Sequence, residues 1–126
     1  MPLLDNMRPL YVFTPSTSDS RAAAQISAFH DNKTEADERQ LVIVLEDQSQ
    51  TLATLPDHPT LRLTPQDSDE AAARLRFKVS PGDFTVILAG KDGGEKLRSH
   101  QPIPFTRLRE TVDSMPMRQQ EMHRKN

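Results

Sequence analysis

The chain has 126 residues, no cysteine, 35% hydrophobic residues and a formal net charge of −2 at pH 7. That length suits one domain with a modest core. The missing cysteine excludes disulfides, thiolate nucleophiles and Cys-ligated metals, and the small net charge provides no basic footprint for nucleic acid. No stretch reaches the ~18–20 apolar residues of a membrane-spanning helix, so no membrane insertion is expected. Residues 1–10 contain Asp5 and Arg8 and no apolar stretch, so no signal peptide is expected in the chain. The compartment stays open: periplasmic or secreted if a leader has been removed, cytoplasmic otherwise.

In chain order, Leu10–Phe13 is a short apolar run followed by the turn-prone Thr14–Ser20, which predicts a buried strand leading into a loop. From Asp19 onward Ala22, Ala23, Ile26 and Phe29 recur at helical spacing, with Ser18 or Asp19 placed to accept from the free N–H groups of the first turn. This helix is expected to fade within the charged segment Asp31–Gln40. Leu41–Leu45 is apolar without alternation, the pattern of a parallel strand covered on both faces.

Residues 47–60 are the least legible, because Pro56 and Pro59 oppose a long helix and only Leu61 and Leu63 alternate like a strand. Thr64-Pro65-Gln66-Asp67 is a strong helix start, and Ala71, Ala72 and Leu75 continue it towards Phe77. Ser80-Pro81-Gly82-Asp83 fits a type II turn, with Pro81 trans. Phe84–Ala89 is the next strand, Gly90–Gly94 carries the Asp-Gly signal of a tight hairpin, and Glu95–Ser99 returns antiparallel at an edge.

After Pro102 and Pro104, the residues Phe105, Leu108, Val112 and Met115 share one face of a final helix that Pro116 stops. The core is expected to include Val12, Ile26, Phe29, Val42, Val44, Leu75, Val86, Leu88, Leu108 and Val112. Residues 117–126 read as a polar, disordered tail behind a domain spanning 1–116. The order is a βαβ unit followed by αββα, a mixed central sheet with helices on both faces, which is the thioredoxin-like α/β arrangement.

Phe84-Thr-Val-Ile-Leu-Ala-Gly-Lys-Asp-Gly-Gly-Glu-Lys-Leu-Arg-Ser99, continuing to Met115-Pro-Met-Arg-Gln-Gln-Glu-Met122, resembles the bacterial branch of the DUDES domain family. Leu10-Tyr-Val-Phe-Thr-Pro-Ser16, with Asp19 and Arg21, fits that family's first strand and loop. The resemblance covers most of the chain and is weakest over residues 47–63. It implies a thioredoxin-like domain whose animal relatives occur in secreted matrix and sushi-repeat proteins, and it carries over no catalytic residue.

In a thioredoxin-like fold the reactive position follows the first strand, where the helix dipole lowers a thiol's pKa. Here that place holds Ser16-Thr17-Ser18-Asp19, so thiol redox catalysis is excluded. Ser16, Ser18, Asp19 and Arg21 are the candidate ligand-binding residues, since free helix N–H groups beside an arginine suit an anion; helix capping by Ser18 or Asp19 is the plainer account. His30, His58, His100 and His123 are scattered without hydrolase or metal-ligand spacing. Gly90–Lys96 lacks the ending of a phosphate loop, and Met115, Met117 and Met122 offer either packing or a soft contact surface.

The expectation is therefore a redox-inactive, non-catalytic binding or adhesion module without metal or cofactor. Its ligand is unknown, with a protein or a matrix-like component as the partner considered. The alternative is a non-thiol enzyme or anion-binding site around Ser16, Asp19 and Arg21.

Overall fold

The computed structural model describes residues 6–16, 18–47, 51–55, 58–63, 76–80 and 82–124. Six strands form one sheet: β1 (Arg8–Phe13), β2 (Leu41–Glu46), β3 (Thr51–Leu55), β4 (His58–Leu63), β5 (Thr85–Ala89) and β6 (Glu95–Ser99). Their spatial order is β4-β3-β2-β1-β5-β6. β1 and β2 run parallel, with Leu10 opposite Ile43. Every other pairing is antiparallel, including β1 with β5, where Leu10 faces Leu88. The expected parallel pair and the edge position of β6 both hold.

Four helices accompany the sheet among the described residues: α1 (Ser20–Asp31), α2 (Lys33–Glu38), α3 (Phe105–Asp113) and α4 (Pro116–Arg124). The side chains of the central strands alternate between faces, and each face has its own core. Leu10, Val12, Leu41, Ile43, Val86 and Leu88 meet Ala22 and Phe29 of α1, Ala36 of α2, and Phe105, Leu108 and Val112 of α3. Tyr11, Phe13, Val42, Val44, Ile87 and Ala89 face the other way, against Ala53, Phe77 and Val79. Both faces are covered, which is why β1, β2 and β5 read as unbroken apolar runs. The helix expected from Thr64 to Phe77 lies almost wholly outside the described residues, as do Leu75 and Pro81.

Four details depart from the sequence reading. Residues 51–55 form β3, a strand expected nowhere, paired on both sides between β2 and β4. The charged stretch after α1 does not fade: Asn32 interrupts the helix and α2 resumes, its Ala36 fully buried.

On α1 the inward positions are Ala22, Gln25 and Phe29, while Ala23 is exposed and Ile26 only half-buried. Gln25 clamps the chain entering α3, donating from Nε2 to the Ile103 carbonyl at 3.0 Å and accepting the Ile103 N–H at 2.6 Å. A buried amide with both ends satisfied in this way replaces an apolar contact without an unmet hydrogen bond.

Pro116–Arg124 is helical, so residues 117–124 form a helix where a disordered tail over 117–126 was expected. Pro116 ends α3 and also starts α4, because its fixed φ suits a first helical turn.

Candidate functional site

The loop after β1 is shaped by its own short-range hydrogen bonds. Thr14 Oγ1, buried, donates to the Ser16 carbonyl at 2.7 Å, turning the chain out of the strand. Ser16 Oγ and Ser18 Oγ share a hydrogen bond at 2.8 Å, and Ser16 Oγ accepts the Ser18 N–H at 3.1 Å. Asp19 is the N-cap of α1, accepting the Arg21 N–H on Oδ1 at 2.9 Å.

The Arg21 guanidinium then closes on the same carboxylate, Nε to Oδ1 at 3.0 Å and Nη2 to Oδ2 at 2.8 Å. Its other face lies 4.8 Å from the centre of the Phe84 ring. Hydrogen bonds from Arg21 hold the Asp19 carboxyl down at about 2, against a small opposing effect of burial.

This arrangement brings the four sequence-derived candidates together in one loop. Asp19 thus caps the Arg21 N–H and pairs with the Arg21 guanidinium, whose side chain is still 40% exposed, so an incoming anion would compete with Asp19 for it. Among the described side chains no histidine is bonded to Ser16: His100 Nδ1 instead lies 3.2 Å from the Phe84 carbonyl and 3.3 Å from Thr85 Oγ1. His30 stands edge-on to Phe29, and His123 is exposed. Among the described residues no three His, Cys, Asp or Glu side chains gather as metal ligands, and no helix is long and apolar enough to cross a membrane.

A second place was not legible in the sequence. The β5–β6 turn and the α3–α4 junction enclose a cleft of about 500 Å³, lined by Gly90, Lys91, Asp92, Lys96, Thr111, Ser114, Met115, Pro116 and Met117. Such a volume is in the range of small-molecule sites. The turn is set by Gly93 at φ +82°, by the Gly90 N–H bonded to the Gly94 carbonyl, and by Asp92 Oδ1 accepting the Gly94 N–H.

That backbone bond, then Lys96, keep the Asp92 carboxyl below its ordinary range. Met115 is buried beneath the cleft, whereas Met117 at its mouth is 47% exposed. The lining thus combines thioether and proline carbon with two ammonium groups and one carboxylate, Lys96 Nζ resting on Asp92 at 3.1 Å. The hairpin glycines and the Met-Pro-Met step were visible in the sequence, but only the fold brings them face to face.

Residues 3–121 match a family described as "Domain of unknown function (DUF4174)". The chain matches no curated protein and no solved structure.

Proposed function

The chain belongs to the DUF4174 family, whose description assigns no activity, and we propose that it is a redox-inactive, thioredoxin-like binding domain that takes a small organic anion in the cleft between the β5–β6 turn and the α3–α4 junction. The thioredoxin likeness is supported by the parallel β1–α1–β2 half joined to an antiparallel β5–β6 hairpin closed by α3. The DUDES resemblance of residues 84–122 points the same way.

One observation carries the binding reading: Met115, Pro116 and Met117 line the cleft together with Lys91 and Lys96, whose ammonium groups rest on Glu121 and Asp92. An apolar body would cover the methionines, and an acidic group would meet the lysines. Methionine is suited to such a floor because its thioether is polarisable and adapts to shape.

The test uses 1-anilinonaphthalene-8-sulfonate, an aromatic sulfonate, with the intact protein. Saturable one-site fluorescence enhancement is expected, and Met117→Asp, which puts a carboxylate at the mouth, should weaken it at least about tenfold. Non-saturable binding, or binding indifferent to Met117→Asp in a folded variant, overturns the reading.

The second reading is the anion-binding or non-thiol catalytic site at Ser16, Ser18, Asp19 and Arg21. It is favoured by the exposed pair of hydroxyls ahead of α1. It requires Arg21 to leave Asp19, so Asp19→Asn should create or strengthen sulfate binding there if it is right.

A further inference from the structure

At the end of the sheet opposite the Ser16 loop, cations converge from three parts of the chain. Arg8 opens β1, Lys91 follows β5, and Arg118 lies in α4. Their side chains are 1%, 10% and 5% exposed. One carboxylate meets all three: Glu121 of α4 lies 3.0 Å from Arg8 Nη2, 2.7 Å from Lys91 Nζ and 3.7 Å from Arg118 Nη1. Lys91 is steered by a further hydrogen bond to Gln40 Oε1. Arg8 Nη1 donates to the Arg39 carbonyl at 2.7 Å, while Arg8 Nε, buried, meets no acceptor among the described residues.

The next carboxylate, Asp113, is already shared between Arg39 and Arg118. Four cations thus rest on Glu121 and Asp113, with Glu38 adding a longer contact to Arg39 at 3.8 Å. Buried cations require compensation by an anion, and here the compensation comes from a helix with little else to hold it. No α4 residue belongs to either core cluster. Met117, Gln119, Gln120 and His123 are exposed, and Arg118 is its one buried residue among those described. The helix is held chiefly by charge, and charge contacts can be exchanged.

We propose that Arg8, Lys91 and Arg118 form a binding site for a phosphate- or carboxylate-bearing ligand, which Glu121 fills in this structure as a tethered stand-in. The ligand and α4 compete for one place, so binding releases α4 from the sheet end. A tethered group acts at an effective concentration on the order of millimolar, so weak free anions lose to it and a ligand with further contacts wins. Lys91 also borders the cleft described above, but the anion site does not depend on the cleft. Inorganic phosphate has no apolar body for the cleft, and only binding at the Glu121 site should depend on Glu121.

The experiment titrates inorganic phosphate, and separately acetate, into the full-length protein against chloride at equal ionic strength, reading the melting temperature. In the unaltered chain neither anion should shift it beyond the chloride control at low millimolar concentrations. In Glu121→Gln the vacated charge should make phosphate stabilise saturably, with an apparent affinity about tenfold or more above that of the unaltered chain. Acetate should do likewise if a single carboxylate suffices; a response to phosphate alone assigns the site to phosphate-bearing ligands.

Adding Lys91→Gln should remove the gain, which separates a site from a general salting effect of phosphate. Glu121→Asp, which keeps the charge on a shorter arm, should fall between and serves if Glu121→Gln does not fold. Equal anion responses in the unaltered chain and the Glu121 variants, or a gain that survives Lys91→Gln, overturn the proposal.

Discussion

Arg8 and Glu121, 113 positions apart, are joined by two hydrogen bonds of 3.0 and 3.3 Å that tie the first residue of β1 to the last helix. Arg8 is fully buried, so its guanidinium exchanges water for this carboxylate, the Arg39 carbonyl and little else. The pair therefore decides whether a cation can sit at the end of the sheet. Removing one partner of such a pair is far more costly than the pair's net contribution, because the other charge is left stranded.

Glu121→Ala should accordingly destabilise the protein by about 2–3 kcal/mol, somewhat below the usual cost for a fully buried pair because Glu121 keeps some exposure. The comparison is Arg109→Ala, which breaks a half-exposed pair with Glu35 at 3.0 Å and should cost about 0.5 kcal/mol or less. Urea unfolding of both variants measures the difference. Equal losses would mean that burial at the sheet end adds nothing.

Acid should act on the same contact. Burial pushes the Glu121 carboxyl up, but hydrogen bonds from Arg8 and Lys91 outweigh it and hold the group at about 2, against an ordinary value of 4.5. A group lowered on folding contributes stability that is fully present above its unfolded value and is lost as pH falls through its folded value. The charges facing Glu121 are Arg8, Lys91 and Arg118. Between pH 5 and pH 2 the urea midpoint of the unaltered chain should therefore fall more steeply than that of Glu121→Gln. Asp113, which burial raises but Arg39 and Arg118 lower more, adds a decline common to both, so parallel curves would refute the assignment to Glu121.

The central fold was legible because its signals are local. β1, β2 and β5 are apolar runs, the β5–β6 turn has its Asp-Gly, and α3 carries Phe105, Leu108 and Val112 on one face. β3 was hidden because Thr-Leu-Ala-Thr-Leu is short and has no clear alternation, and its pairing with β2 and β4 supplies what its sequence lacks. Glu121 fell within what read as a polar tail because Arg8 and Lys91, which it meets, are distant in the chain.

A clue was nevertheless available. With β1 parallel to β2 and antiparallel to β5, the residues that open β1 and β2 and follow β5 share one end of the sheet. Those residues are Arg8, Arg39 with Gln40, and Lys91. Three cations at one end call for an anion, and the polar segment after Pro116 was the segment free to bring it.

Gln25→Ala should be more damaging than its polar character suggests. It strips the partners from both the N–H and the carbonyl of Ile103 in a buried setting and leaves a small cavity. A loss of about 2–4 kcal/mol is expected from two unmet backbone groups. Gln25→Glu, which can still accept the Ile103 N–H but opposes the carbonyl with a charge, should not rescue it. Denaturant unfolding checks both, and a loss near that of an exposed α1 substitution such as Ala23→Gly would show that the clamp is unimportant.

Ser16 stands just ahead of α1, where the thioredoxin-like reading would put a thiol. Ser16→Cys should place sulfur where Ser16 Oγ now accepts the Ser18 N–H, just ahead of α1. A helix N-terminus favours a thiolate, yet Asp19 already supplies a negative charge there and neutralises Arg21 through both of its oxygens. The single variant should therefore alkylate with iodoacetamide at a pH midpoint close to that of free cysteine. Asp19→Asn removes the competing charge, frees Arg21 and keeps a residue able to cap the helix. The double variant should show a midpoint shifted to lower pH. Neither variant should turn over as a peroxidase or disulfide reductase, because the chain has no second cysteine to resolve an oxidised Cys. If the two midpoints coincide, Asp19 acts there only as a cap.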